Sequence, residues 1–180
     1  MALPTETSYG LAADALNPSA LGMLFTAKRR PQDEPVGIFV QHMDAARTHF
    51  LFSPEEEQLA AQYWPGPLNI LLRLKAESPL QKTQSALAPG KEKISVRVSS
   101  HPVLQKLLAA FPGPVTSTSA NRSGEGDVYA ADRIAKAFPG DEIAYLLDAG
   151  ILPENPPSTI AEWTGSALRI IRQGAVIPTP

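Results

Sequence analysis

Among the polar residues followed at once by proline, three stand just ahead of a helical pattern: Asn17-Pro18, Ser53-Pro54 and His101-Pro102. Proline at a first helical position loses nothing by lacking an N–H, and its φ is already helical. A side chain just ahead of it can accept from the unpaired amides of the first turn. Each pair therefore marks a helix start. After Pro18, Leu21, Leu24, Phe25 and Lys28 recur at helical spacing, the first three as a buried stripe, until Pro31 stops the helix. Ser53-Pro54-Glu55-Glu56 is a capping box opening a helix to about Trp64. Pro102 opens a helix carrying Val103, Leu104, Leu107, Leu108 and Phe111, ended by Gly113, and another lies near Ala131 to Phe138.

Between these helices lie runs that read as strands: Val36 to Val40, Leu68 to Leu74, Ile94 to Val98 and the run from Pro114. Others are expected near Ala144 to Leu147, Thr159 to Glu162 and Leu168 to Arg172. Strands alternating with helices, then two strands together, predict an α/β fold with a mixed sheet. Trp64-Pro65-Gly66-Pro67 is a rigid turn, with Trp64 a core anchor rather than a ligand platform. The polar segment 75–93 is expected to be a loop.

A length of 180 residues is the size of one domain, so a single domain over 1–180 is expected. The chain has no cysteine, which excludes disulfides and thiolate zinc sites. It shows no signal peptide and no apolar run near the ~18 residues that a spanning helix needs. The expectation is a cytoplasmic protein with no membrane partner. The net charge of −2 is not that of an electrostatic nucleic-acid binder, so any phosphate binding must come from a local patch.

The chemistry concentrates in Pro114-Val115-Thr116-Ser117-Thr118-Ser119-Ala120-Asn121-Arg122-Ser123-Gly124. A strand there delivers hydroxyls and an amide into a glycine-ended loop, whose N–H groups could face an anion. A plain Ser-rich turn is the alternative reading. Ile94-Ser95-Val96-Arg97-Val98 alternates, placing Ser95 and Arg97 on one strand face. Lys28, Arg29 and Arg30 crowd a helix end, where cations also complement the macrodipole. His42, His49 and His101 match no metal-ligand spacing, and no His or carboxylate pair accompanies the Ser-rich run. General acid–base hydrolysis is therefore disfavoured, and no protein metal site is expected. The Walker pattern is absent as well. Fixed cations and hydroxyls without a strong base suit positioning and charge neutralisation, as in nucleotidyl transfer.

Pro4-Thr5-Glu6-Thr7-Ser8-Tyr9-Gly10-Leu11, Lys28-Arg29-Arg30-Pro31 and Ser117-Thr118-Ser119-Ala120-Asn121-Arg122-Ser123-Gly124 together resemble, in that order, motifs of the YrdC-like family. Its enzymatic members are threonylcarbamoyl-AMP synthases. Trp64 to Leu68, Val96-Arg97-Val98, His101-Pro102, Pro157 to Ile160 and Ile171 to Ala175 extend the likeness from Pro4 to Val176. The resemblance implies a twisted open mixed sheet with flanking helices and a basic concave cleft. It implies that L-threonine, bicarbonate and ATP yield threonylcarbamoyl-AMP and pyrophosphate, with Mg²⁺ carried on the triphosphate.

By motif match, Lys28, Arg30, Ser119 and Asn121 would form a catalytic anion cradle, none of them present for stability. Thr7, Arg97 and Ser117 would hold threonine, and Arg30, Ser119, Asn121 and Arg172 would hold ATP. Downstream tRNA threonylcarbamoyl-transfer enzymes would be partners. Weak tRNA or RNA binding without synthase activity is the rival reading. The sequence departs from longer family members at Glu34, Phe39, Asn69 and Asp127, and Glu34 would repel a triphosphate. Family members usually carry a helix and a full strand ahead of Pro4, so the first strand here is expected to be trimmed and frayed.

Overall fold

The computed structural model describes residues 1–111 and 113–179. Among them nine strands form one sheet: β1 (Ala2–Pro4), β2 (Tyr9–Leu11), β3 (Gly37–Phe39), β4 (Phe50–Leu51), β5 (Leu68–Leu74), β6 (Lys93–Arg97), β7 (Val115–Ser119), β8 (Thr159–Trp163) and β9 (Leu168–Arg172). The spatial order is β1-β2-β7-β3-β6-β5-β8-β9, with β4 also paired to β5. Only β3/β6 and β5/β8 are parallel; the other pairs are antiparallel. The helices are α1 (Pro18–Lys28), α2 (Met43–His49), α3 (Pro54–Tyr63), α4 (Gln84–Leu87), α5 (Pro102–Ala110) and α6 (Ala131–Ala137). This is the mixed, open α/β sheet expected from the alternation of elements.

The three proline-marked starts are capped as the chemistry requires. Asn17 Oδ1 accepts from Ser19 N at 3.0 Å and Ala20 N at 3.2 Å. Ser53 and Glu56 exchange both bonds of a capping box, and His101 Nδ1 accepts from Val103 N at 3.3 Å.

Strand alternation divides the sheet into two faces. Ile38, Leu68, Ile70, Leu72, Ile94 and Val96 point into the main core with Leu59 and Ala60 of α3 and Ala46 of α2. Gly37 and Phe39 of β3, Asn69 and Leu71 of β5, Ser95 and Arg97 of β6, and Ser117 and Ser119 of β7 instead line a cleft of about 670 Å³. Gly37 is needed there, because a Cβ would lie 3.0 Å from Ser95 O and 3.1 Å from Ser95 Oγ on the adjacent strand. Two smaller clusters pack α1 and α6 against β2, and α5 against β1 and β7.

Three expectations change, and two elements are added. The first strand is not frayed: Ala2 and Leu3 are fully buried, Ala2 N donates to Tyr145 O at 2.7 Å, and β2 pairs its other edge. Residues 144–147 form no strand, making only a bridge from Leu146 to Ala2, because β1 is too short to template a ladder. Segment 75–93 is not a simple loop, since a 3₁₀ turn (Pro79–Lys82) and α4 bury Leu80 and Leu87 completely. Helix α2 and strand β4 were not foreseen; they lack a proline start, and His42 caps α2 instead.

Candidate active-site cleft

One end of the cleft is built around Arg97. The last residue of β6, it is 3% exposed, and its guanidinium lies over the Phe39 ring at 4.7 Å. Phe39 therefore serves this site as a cation–π platform. Glu6 Oε1, from the β1–β2 loop, is 3.8 Å from Arg97 Nε, in ion-pair range but beyond a hydrogen bond. Neither atom has a hydrogen-bond partner among the described residues, though both are buried. Glu6 Oε2 accepts from Ser99 Oγ. Burial pushes the Arg97 pKa below the usual arginine value, Glu6 opposes that shift, and Arg172 adds to it.

Thr7 and Ser117 line the same cleft. Thr5 donates its hydroxyl to Ser8 O at 2.7 Å, so the 3.0 Å Thr5–Thr7 contact takes its proton from Thr7. The Thr7 oxygen keeps its acceptor lone pairs. Thr7, Arg97 and Ser117 are thus brought together as expected from the sequence.

A polar chain crosses the cleft floor. Ser95 Oγ donates to Asn69 Oδ1 at 3.2 Å, and Asn69 Nδ2 donates to Ser158 Oγ at 2.7 Å. Arg172 grips Ser158 with bonds of 2.8 and 3.1 Å to its carbonyl and 3.0 Å to its hydroxyl. Asn69 therefore links β5 to β6 and to the residue just before β8, and helps fix Arg172. Asp127 also lines the cleft, and its charge favours the protonated forms of Arg172 and Lys28.

The other end is organised differently. Helical phase puts Lys28 on the buried face of α1 with Leu21, Leu24 and Phe25, and it is only 1% exposed. Its ammonium donates to Ser119 O and, at 2.7 Å, to Asn121 O; Ser123 N returns a bond to Lys28 O at 2.9 Å. Burial pushes its pKa down to about 8, with Arg30 adding and Asp127 and Glu34 opposing. Ser119 Oγ donates to Asn121 Oδ1, and Asn121 Nδ2 donates to the carbonyls of Arg122, at 3.0 Å, and Glu125.

Lys28, Ser119 and Asn121 do meet, across 91 to 93 positions of sequence. Only Ser119 lines the cleft, however; Lys28 and Asn121 turn inward and tie the loop after β7 to α1. These contacts give Lys28 and Asn121 a scaffold role that the anion-cradle expectation omitted. Arg29 closes α1 in a left-handed conformation (φ 49°), and Arg30 follows it to the cleft wall. Arg30 donates to Pro35 O at 2.8 Å, and its Nε lies 3.4 Å from Glu34 Oε2.

Most cleft cations already have carboxylate neighbours. Arg30 faces Glu34, Arg73 pairs with Glu92, Lys93 with Glu56 and Glu162, and Arg169 with Glu162. The concavity is present, but much of its positive charge is compensated inside the protein. Glu6 and Ser158, absent from the sequence-derived site, belong to two of the quoted motifs, Glu6 directly before Thr7. Their partners, Arg97 and Arg172, belong to distant strands.

Comparison with known proteins decides the family. A family model for Sua5, YciO and YrdC proteins, described as "Telomere recombination", matches residues 1–174. The chain belongs to this family. Threonylcarbamoyl-AMP synthase of Pyrococcus abyssi is 32% identical over 177 residues, covering 98% of this chain and 50% of that protein. The Vibrio vulnificus protein of the same name is 32% identical over 178 residues, covering 97% of this chain and 91% of its own length. The crystal structure of P. abyssi Sua5 complexed with L-threonine superposes with a TM-score of 0.86 at 32% identity, over 96% of this chain and 49% of that one. The chain thus spans about half the length of the Pyrococcus relative and most of the Vibrio one.

Proposed function

We propose that this chain is an L-threonylcarbamoyladenylate synthase, making threonylcarbamoyl-AMP and pyrophosphate from L-threonine, bicarbonate and ATP. The observation that carries this reading is Arg97: a buried guanidinium on the cleft wall, beside Thr7 and Ser117, making no side-chain hydrogen bond among the described residues. Buried donors without partners are costly, and an incoming carboxylate would satisfy them. The α-carboxylate of threonine would take that place, with the Thr7 oxygen accepting from its amine and Ser117 close by.

The amine adds to bicarbonate-derived carbon, losing water, to give a carbamate. A carbamate oxygen then attacks the α-phosphate and pyrophosphate leaves. ATP enters as its magnesium complex, so the metal belongs to the substrate. Arg30, Ser119 and Arg172 would meet the phosphates, while Lys28 and Asn121 shape the loop that presents Ser119. With no general base of suitable strength in this set, rate would come from positioning and charge neutralisation. The product is an activated carbamoyl donor, and the family resemblance makes cytoplasmic enzymes that transfer the threonylcarbamoyl group to tRNA its consumers. The pairing of most cleft cations with carboxylates argues against direct RNA binding as the main role.

The test is pyrophosphate release from purified protein with MgATP, omitting each substrate in turn. Release dependent on both L-threonine and bicarbonate is expected. Equal release without threonine, or none with all three present, would overturn the assignment.

A further inference from the structure

Glu6 and Arg97 make an unusual pair. A buried carboxylate and guanidinium ordinarily close to a bidentate contact below 3 Å, which recovers part of the cost of dehydrating both. Here Glu6 Oε1 and Arg97 Nε stay 3.8 Å apart, both out of solvent and both without a hydrogen-bond partner among the described residues. The separation is enforced from both sides. Ser99 Oγ, which also accepts from His101 N at 3.2 Å, donates to Glu6 Oε2 and draws the carboxylate toward the start of α5. Asn155 Nδ2 donates to the Glu6 carbonyl at 2.9 Å, fixing its backbone from the opposite segment. Arg97 is held by the face of Phe39 and by its strand.

We propose that Glu6 is a positioning residue of the amino-acid site. It is close enough to offset the charge of the buried guanidinium and aim it, and held too far away to consume the donors that an α-carboxylate needs. The missing hydrogen bond leaves the fork open for a ligand. This inference rests on the reading that Arg97 receives the carboxylate of threonine.

The rival role is competition, in which Glu6 occupies Arg97 until substrate displaces it. The two roles predict opposite signs. Calorimetric titration of the whole chain with L-threonine, and separately with MgATP, distinguishes them in wild type, Glu6→Gln, Glu6→Asp and Ser99→Ala. The positioning role predicts that Glu6→Gln weakens threonine binding by about tenfold, the scale of one charge-assisted contact. MgATP affinity should hold within about twofold, and the effect should appear in KM for threonine rather than kcat. Glu6→Asp should restore part of the loss, and Ser99→Ala should weaken threonine less than Glu6→Gln does. Unchanged or tighter threonine binding in Glu6→Gln would overturn the proposal. If that variant does not fold, unchanged threonine binding in Ser99→Ala would overturn it equally. A wild-type chain that binds MgATP but not threonine would instead overturn the underlying assignment of Arg97, and this inference with it.

Discussion

At the Arg97 end of the cleft, a buried cation has no hydrogen-bond partner among the described residues; at the Lys28 end, a buried cation of the same sign has two of its three donors taken by backbone carbonyls. Both are almost wholly removed from water, at 3% and 1% exposure. Burial alone therefore does not separate a cation with unpaired donors from one bonded into the scaffold. The difference lies in where the donors go. Lys28 completes the loop after β7, so part of its dehydration is repaid on folding. Arg97 is left incomplete by a carboxylate held just out of reach, so in the proposed reading its dehydration is repaid only by a ligand.

The largest effect should come from Arg97→Lys. It keeps a cation opposite Glu6 but loses the planar fork, so threonine KM should rise by about two orders of magnitude, with melting temperature little changed. Steady-state kinetics beside a thermal melt measures both. A threonine KM near wild type would break the contrast at its functional end.

Lys28→Met should behave in the opposite way. It keeps the stem of the side chain but strands the carbonyls of Ser119 and Asn121, at about 2 kcal/mol, or roughly 4–8 °C in melting temperature. Some activity should go too, because the loop carrying Ser119 loosens. Stability unchanged with activity lost would return Lys28 to the role of a ligand contact.

Lys28 also gives a pH signature. Its folded-state pKa is pushed down to about 8 from an ordinary 10.5, so between those values the unfolded chain holds a proton that the folded chain has released. Unfolding free energy should therefore rise with pH across that window. Subtracting the Lys28→Met profile from that of wild type isolates the contribution, and a difference curve flat from pH 8 to 10.5 would contradict it.

Two smaller changes sharpen the loop end. Ser119→Ala removes one neutral donor to Asn121 Oδ1 and should cost about 1 kcal/mol, read by urea denaturation. Glu34 is 44% exposed and lies 3.4 Å from Arg30, so it partly neutralises that cation as well as repelling a triphosphate. Glu34→Gln should tighten MgATP by no more than a few-fold, because pairs this exposed contribute about 0–1 kcal/mol. A loss of MgATP affinity would mean that Glu34 organises Arg30 for the nucleotide.

What could be read from the sequence follows the reach of the forces involved. Helix starts at Pro18, Pro54 and Pro102 rest on capping within a few residues, and the strand from Leu68 to Leu74 was legible from its apolar run. Alternation in β6 placed Ser95 and Arg97 together because the period of a strand is local. Partners across the fold were not legible. Helical phase alone puts Lys28 on the inner face of α1, but the carbonyls that receive it lie 91 and 93 residues away. Glu6 was visible only as a motif letter until β6 brought Arg97 to it. Residues 144–147 were apolar enough for a strand, yet they met only three residues of β1.

The contrast between the two buried cations can be tested in one experiment: the shift in melting temperature on adding L-threonine, measured for wild type, Arg97→Lys and Lys28→Met. Wild type should gain stability as threonine fills its site. Lys28→Met should start lower and keep a comparable gain, while Arg97→Lys should start near wild type and gain little. A threonine shift lost in Lys28→Met but kept in Arg97→Lys would contradict the assignment of free donors to the ligand and spent donors to the scaffold.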